Sequence, residues 1–263
     1  MEKRKEKVSH EGCGARAFLP GQEEQAQKEY LSQNVERLKV RAAGRDWLLE
    51  RTGDMESLWA EMDQEAFGED ERLPYWAEVW PASLLVCEKL QQEQHRIQGR
   101  ICLDVGCGLG ISALVGSRLG ARVVAFDYEP RAVRFAHANA RLNNVPSPLW
   151  TIMDWRFPAL ARQAFDFIWG GDVLYEKRFF EPLEALFEHC LTPRGEIWLG
   201  EPERTVSRPV WDRLRHRGWQ CDIVLREKVA LGGQNQTVRL WRVRRGATAD
   251  GLAVSSGATG TRP

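Results

Sequence analysis

"LDVGCGLG", Leu103 to Gly110, carries three glycines, Gly106, Gly108 and Gly110, out of a short apolar strand and into the start of a helix. Glycine permits a tight turn and leaves the backbone bare for a ligand. The amides at the following helix start then face an anionic or polar group. A strand-to-helix corner that binds nothing would use the same residues. The spacing is G-x-G-x-G, whereas the dinucleotide fingerprint G-x-G-x-x-G would need glycine where Ile111 stands. Asp104 lies two residues ahead of Gly106. The next apolar run, "RVVAFD", ends on Asp127, about 20 residues beyond the glycines, where a carboxylate can accept hydrogen bonds from both hydroxyls of a ribose. In isolation such an aspartate is usually only a helix cap; in register with the glycine turn it becomes a candidate ribose ligand.

Outward from this turn, residues 100–245 alternate short apolar runs with amphipathic stretches. The strands are "ICLDV", "RVVAFD", "PLWTIM", "FDFIWG", "GEIWLG", "WQCDIVLRE" and "TVRLWRV", with helices over 110–119, 131–143, 179–190 and 206–217. Such alternation predicts an α/β, Rossmann-like seven-stranded sheet, largely parallel and covered by helices on both faces. Only "KVALGGQNQ" separates the last two strands, so they are expected to form a C-terminal antiparallel hairpin at the sheet edge. Upstream, "ERLKVRAAGRDWLLERTGD" reads as a hairpin. "MESLWAEMDQEAF" has helical spacing with Leu58, Met62 and Phe67 inward, and "SLLVCEKLQQEQH" predicts a further helix. The expected organisation is a disordered tail over 1–24, an N-terminal hairpin-helix extension and lid over 25–99, the main domain over 100–245, and a disordered tail over 246–263.

Lys plus Arg and Asp plus Glu total 37 each, a balance that argues against a nucleic-acid coat or a polybasic membrane anchor. No apolar run reaches the roughly 18 residues of a membrane span, and no apolar segment follows the charged start as in a signal peptide. The six cysteines form no CxxC pair, which fits a reducing compartment better than a disulfide framework or a zinc site. A cytoplasmic protein without a metal is therefore expected.

At the third strand end "MDWRFP" supplies Asp154, which alone would read as a turn residue before Pro158. With Asp104 and Asp127 it makes three acids at the ends of consecutive strands. Here the chain resembles the seven-β-strand (class I) S-adenosylmethionine-dependent methyltransferases over residues 73–243. "LDVGCGLG" is similar to their first motif and "AFDYEP" to their second. After the fourth strand, "GDVLY" resembles the Asp-x-x-Tyr signature of methyltransferase family 16, which includes many protein-lysine methyltransferases. "PYWAEVWPAS" resembles that family's tryptophan-containing segment, in the form found in enzymes that modify the β-subunit of electron-transfer flavoprotein. The Asn/Asp-Pro-Pro-aromatic motif of nucleic-acid and glutamine amino-methyltransferases is missing, which counts against those acceptors.

The resemblance implies S-adenosylmethionine as cofactor, bound by Asp104, Gly106, Gly108, Asp127, Tyr128, Asp154 and Trp155. Trp80 would be a wall against it and Glu78 a contact to its polar end. It implies Asp172 and Tyr175 beside the transferring methyl, and Tyr75 and Trp76 at the acceptor entrance. A lysine acceptor has a free pKa of about 10.4 and must lose a proton before it attacks. An aromatic-lined, desolvated channel assists that loss, and a carboxylate such as Asp172 orients the amine. Core packing is the competing reading for Trp76, and helix-start packing for Tyr175. The expected partner is a protein lysine. A small-molecule N- or O-methyltransferase and a non-catalytic cofactor-binding protein are the alternatives, with a dehydrogenase disfavoured by the glycine spacing.

Other residues carry plainer expectations. Trp169, Trp198 and Trp241 lie in strands and should fill core. His137 and His189 have no ligand-spaced partners. Arg213, Arg215, Arg217, Arg239, Arg242, Arg244 and Arg245 read as a solvated face rather than a patch for an acidic partner, and Lys177 and Arg178 as surface charges.

Overall fold

The computed structural model describes residues 35–53, 58 and 74–246. The two tails and the expected helix carrying Met62 and Phe67 lie outside the described residues; Leu58 is described and buried.

Seven strands form one sheet: β3 (Ile101–Val105), β4 (Arg122–Asp127), β5 (Leu149–Ile152), β6 (Phe165–Gly171), β7 (Leu191–Pro202), β8 (Trp219–Leu231) and β9 (Gln234–Arg245). Their spatial order is β5-β4-β3-β6-β7-β9-β8. The first five pair in parallel, while β9 runs antiparallel to both β7 and β8. The chain walks outward from β3 to β5 and then returns to start again at β6. That reversal opens a crevice at the carboxyl ends of β3 and β6, where open α/β sheets bind ligands.

The helices are α1 (Pro81–Gln92), α2 (Gln94–Ile97), α3 (Ile111–Arg118), α4 (Pro130–Leu142), α5 (Phe180–Cys190) and α6 (Arg208–His216). Alternate strand residues face opposite ways, and the two faces are covered separately. Leu103, Val105, Ile168, Ile197 and Leu199 join one buried cluster with Leu183, Leu186 and Phe187 of α5 and Val210, Trp211 and Leu214 of α6. The opposite face carries Trp169 and Trp198, both fully buried, and α3 approaches so closely that a Cβ at Gly116 would stand 2.8 Å from the Trp169 ring. Trp241 stacks on Trp211 with ring centroids 4.0 Å apart. These tryptophans fill core, as their strand positions predict.

Strand limits depart from expectation at the C-terminal hairpin. The segments "KVAL" and "QNQ" extend β8 and β9, leaving only Gly232 and Gly233 as the turn, with φ of 57° and 78°. Two consecutive positive φ angles are what the common two-residue hairpin turn requires. Much of β8 beyond Leu225 is exposed, so it lacks the alternation that marks a half-buried strand.

The N-terminal hairpin, β1 (Val35–Ala42) and β2 (Arg45–Thr52), forms a separate two-stranded sheet. It is tied to α4 by two asparagine side chains one helical turn apart. Asn143 accepts from the Leu48 amide at 3.0 Å and donates to the Leu48 carbonyl at 2.7 Å. Asn139 does the same to Glu50, at 2.6 and 3.1 Å. Each carboxamide thus imitates a neighbouring strand and satisfies backbone groups of β2 that would otherwise lack a partner.

Candidate active site

The glycine turn is stitched to the end of β4 by Asp127. Its Oδ2 accepts the Gly108 amide at 2.8 Å and its Oδ1 accepts the Glu129 amide at 3.0 Å. Gly108 has φ of 51°, and a Cβ there would lie 3.2 Å from the Trp76 carbonyl, so both the turn and the close approach of the crossing segment favour glycine. Burial pushes the Asp127 carboxyl up to about 6, against the lowering effect of the Glu129 and Gly108 amides.

Asp104 behaves differently from its two fellow acids. It is fully buried beneath the turn, accepts the Ser112 hydroxyl at 2.6 Å from α3, and does not line the cleft. Its position in β3 pairs with Trp169 of β6, so its side chain belongs to the sheet face under α3. Burial raises its carboxyl to about 7, with Ser112 the main opposing contact. The structure therefore corrects the placement of Asp104 in the cofactor site: it supports the turn from below.

The segment before α1 crosses the cleft mouth. Tyr75–Ala77 forms a single 3-10 turn, and Trp80 Nε1 donates to the Tyr75 carbonyl at 2.7 Å, folding the tryptophan back over it. Pro81 then begins α1, suited to a first helical position because it lacks an N–H. The helix start settles onto β7 at a glycine: a Cβ at Gly200 would lie 2.6 Å from the Ala82 carbonyl. Glu78 ion-pairs with Arg51 of β2, which also binds Glu36 at 2.9 Å, so the hairpin braces the crossing segment.

From the crossing segment an edge-to-face run of aromatic rings spans the cleft. Trp80 meets Tyr75 at 5.8 Å, Tyr75 meets Tyr175 at 5.2 Å, Tyr175 meets Phe179 at 5.1 Å and Phe179 meets Trp155 at 5.0 Å. Each such pair contributes about 0.5–1.5 kcal/mol beyond area burial. Trp76 instead stacks on Phe135 of α4 at 6.1 Å, and it too is among the residues that line the cleft. Burial raises the Tyr175 phenol above its usual range, with Glu176 and Asp127 adding to the effect, so it is neutral and can both donate and accept.

Asp154, at the end of β5, is engaged by its own loop: Arg156 donates to it from its backbone at 2.8 Å and from its side chain at 2.7 Å. Tyr128 is partly exposed beside it, with the Arg156 guanidinium 6.0 Å from its ring centre. Asp172 follows β6 with φ of 59°, in the left-handed region, and its amide donates to the Gly200 carbonyl at 2.8 Å. Its buried carboxylate is forked by Arg204, Nη1 to Oδ1 at 2.8 Å and Nη2 to Oδ2 at 2.9 Å. Burial raises the Asp172 carboxyl to about 6 despite that partner.

One cleft thus brings together Tyr75, Trp76, Glu78, Trp80, Gly106, Gly108, Asp127, Tyr128, Asp154, Trp155, Asp172 and Tyr175. Sequence reasoning missed Arg51, Arg156, Phe179 and Arg204. None lies in a recognisable pattern, and Arg204 reaches Asp172 from the segment after β7. It also missed Asn139 and Asn143, whose four-residue spacing on a helix was a signal that both face one way. Most of the arginine-rich stretch is ion-paired: Arg213 and Arg217 bind Glu184, Arg239 binds Glu201, and Arg242 and Arg244 share Asp222. Arg178, expected as a surface charge, ion-pairs with Glu176 at 2.6 Å and lines the cleft. Among the described residues no group of three or more His, Cys, Asp or Glu is placed to hold a metal, and no helix is long and apolar enough to cross a membrane.

Strand order, the glycine turn and the position of the cleft are those of the Rossmann-like methyltransferase fold. Solved structures with this architecture include a T. thermophilus 16S rRNA methyltransferase in complex with AdoMet and guanosine, with a TM-score of 0.53 and 17% identity over 81% of this chain and 51% of that one. Another is magnesium protoporphyrin IX methyltransferase from Synechocystis with bound SAM, with a TM-score of 0.50 and 18% identity over 73% of this chain and 93% of that one.

Residues 82–169 match the family model described as ribosomal protein L11 methyltransferase (PrmA). The chain is 32% identical over 133 residues to the electron transfer flavoprotein beta subunit lysine methyltransferase of Danio rerio, covering 50% of this chain and 51% of that one. It is 31% identical over 136 residues to the protein-lysine methyltransferase METTL21E of Mus musculus, covering 47% of this chain and 55% of that one. It spans about half the length of the curated relatives it matches.

Proposed function

We propose that the protein is an S-adenosylmethionine-dependent N-methyltransferase whose acceptor is a protein lysine. The observation that carries this reading is the single cleft in which carboxylates from three strand ends meet an aromatic run held over a glycine turn. That donor set fits a ligand with ribose hydroxyls, an adenine amine and a sulfonium cation. The names borne by the relatives in Danio rerio and Mus musculus support lysine as the acceptor. Residues 100–245 form the catalytic domain in this reading, and 25–99 the extension that carries the lid.

Asp127 would hold the ribose through acceptor sites its two amide partners leave open, since a carboxylate has about four. Asp154 would take the adenine amine, with Trp155 against the ring and Tyr128 at the rim. Trp80 and Glu78 would close the methionine end. The cofactor, when bound, supplies a methyl on a positively charged sulfur, a carbon open to in-line attack by a nitrogen lone pair. The chain's own task is alignment: it must present a neutral amine at the right angle and exclude water. Tyr75, Tyr175 and Phe179 form a desolvated channel that disfavours the ammonium form. Asp172 and the Tyr175 hydroxyl then fix the direction of the amine. The five described cysteines are all free and buried, which fits a reducing, cytoplasmic setting.

The test is transfer of labelled methyl from S-adenosylmethionine in cell lysate, resolved by size and by amino-acid analysis. The expected result is one or a few labelled protein bands whose label resides on lysine. Label confined to the low-mass fraction would replace the lysine reading with a small-molecule acceptor. Binding without any transfer would make the protein a non-catalytic cofactor binder.

A further inference from the structure

The Asp172 carboxylate is not free to meet a cation, because the chain already supplies one. Arg204 approaches both of its oxygens in the parallel two-bond geometry that fits guanidinium to carboxylate. The segment that carries Arg204 is itself fastened. The Arg204 amide donates to Pro202 at 2.6 Å, and the Ser207 hydroxyl is 3.1 Å from the Arg204 carbonyl and also bonds Glu201. Glu201 in turn receives Trp241 Nε1 at 2.9 Å and pairs with Arg239 at 3.1 Å. Arg204 does not line the cleft, whereas Asp172 does, so the guanidinium stands behind the carboxylate as seen from the cofactor side. Two charged groups act on Asp172: Arg204 favours its ionised form and Glu201 opposes it. From α1 the uncharged Ser83 packs against Gly171, the residue before Asp172, and Tyr175 is neutral.

This arrangement resolves a conflict in the chemistry proposed above, on which the inference rests. A bare, buried carboxylate beside an acceptor amine would hold that amine as an ammonium ion, which has no lone pair with which to attack. A protonated carboxyl would donate to the lone pair and block it equally. We propose that Arg204 is a positioning residue of the acceptor site: its fork keeps Asp172 ionised and offsets its field, so that the carboxylate orients a neutral amine instead of trapping a cation. The fork uses one acceptor site on each oxygen and leaves the others for the amine N–H.

Two readouts test this on the full chain, with Arg204→Met removing the charge and Arg204→Lys keeping it without the fork. The first is a pH titration of aspartate carboxylates by carbon-13 NMR with the protein saturated with S-adenosylhomocysteine, the Asp172 signal being assigned from Asp172→Asn. The wild-type signal should titrate near 6. In Arg204→Met the midpoint should rise by about one to three pH units, and Arg204→Lys should recover most of that shift. An unmoved midpoint in Arg204→Met overturns the proposal. The second readout is the initial rate of tritiated-methyl labelling of lysate proteins at pH 8. The expected result is at least a tenfold loss in Arg204→Met, substantial recovery in Arg204→Lys, and S-adenosylhomocysteine affinity within threefold of wild type in both. Normal labelling by Arg204→Met alongside impaired labelling by Asp172→Asn overturns the role of Arg204 alone. Normal labelling by Asp172→Asn overturns the reading of the acceptor site itself.

Discussion

Asp127→Ala is the sharpest perturbation of the proposed cofactor site, because one carboxylate closes the glycine turn and, in the proposed reading, would also hold the ribose. In the structure it accepts two backbone amides, Gly108 at 2.8 Å and Glu129 at 3.0 Å, while only 9% of the residue is exposed. Hydrogen bonds to a charged group are worth about 1.5–3 kcal/mol each, so losing two to ribose hydroxyls should cost about 3–6 kcal/mol of binding. That corresponds to a factor of about a hundred to ten thousand in Kd. A separate cost falls on the turn, where each buried amide left without a partner loses about 1–3 kcal/mol of stability.

Calorimetric titration with S-adenosylhomocysteine measures the first loss and urea unfolding the second. The pH dependence adds an internal check. The Asp127 carboxyl lies at about 6 in the free protein, so wild-type affinity should weaken as pH falls below 6, and this weakening should vanish in Asp127→Ala. A cooperatively folded Asp127→Ala that binds within threefold of wild type would falsify the assignment of Asp127 as the ribose ligand.

Three further expectations follow from the packing. Asp104 is a buried acid raised to about 7 from 3.8, so it favours the folded state most below pH 3.8 and loses that contribution as pH rises through 7. Asp104→Asn should therefore gain stability relative to wild type at pH 8 over pH 5, by on the order of 2–3 kcal/mol; equal effects at the two pH values in urea would contradict this. Asn139→Ala removes the paired bonds to Glu50 and the bond to the Leu109 carbonyl at 3.1 Å. It should cost about 1–3 kcal/mol and speed hydrogen exchange at the Glu50 amide, so an unchanged exchange rate there would refute the docking role. Gly200→Ala forces a methyl against the Ala82 carbonyl and should cost about 1–3 kcal/mol while weakening S-adenosylhomocysteine binding through the lid. Unchanged melting and binding would show that the start of α1 is not held at that contact.

Much of the site was legible because its residues lie at strand ends, and parallel strands deliver their carboxyl ends to one edge. Asp127, Asp154 and Asp172 line the cleft where that rule puts strand ends, although Asp154 and Asp172 stood out only through the family resemblance. Asp104 was misplaced for a reason local to β3: it sits one pleat too early, within the strand, so its side chain points to the face under α3 instead of into the crevice. The exposed ends of β8 and β9 were missed because a strand wet on both faces carries no alternation to read.

The sequence by itself determined the sheet, its parallel core, the glycine turn and the acidic edge. Each depends on short-range spacing, which polar and apolar side chains impose wherever the chain folds. Only the tertiary structure decided which charge meets which. Arg204 reaches Asp172 across 32 positions, Arg51 braces Glu78 from the hairpin, and Asn139 binds Glu50 across 89. Such pairings have no sequence period, because an arginine or asparagine satisfies any partner of suitable geometry that packing brings near. The aromatic run over the cleft belongs to the same class: its five rings come from three separate segments, and only the closed mouth of the sheet makes them neighbours.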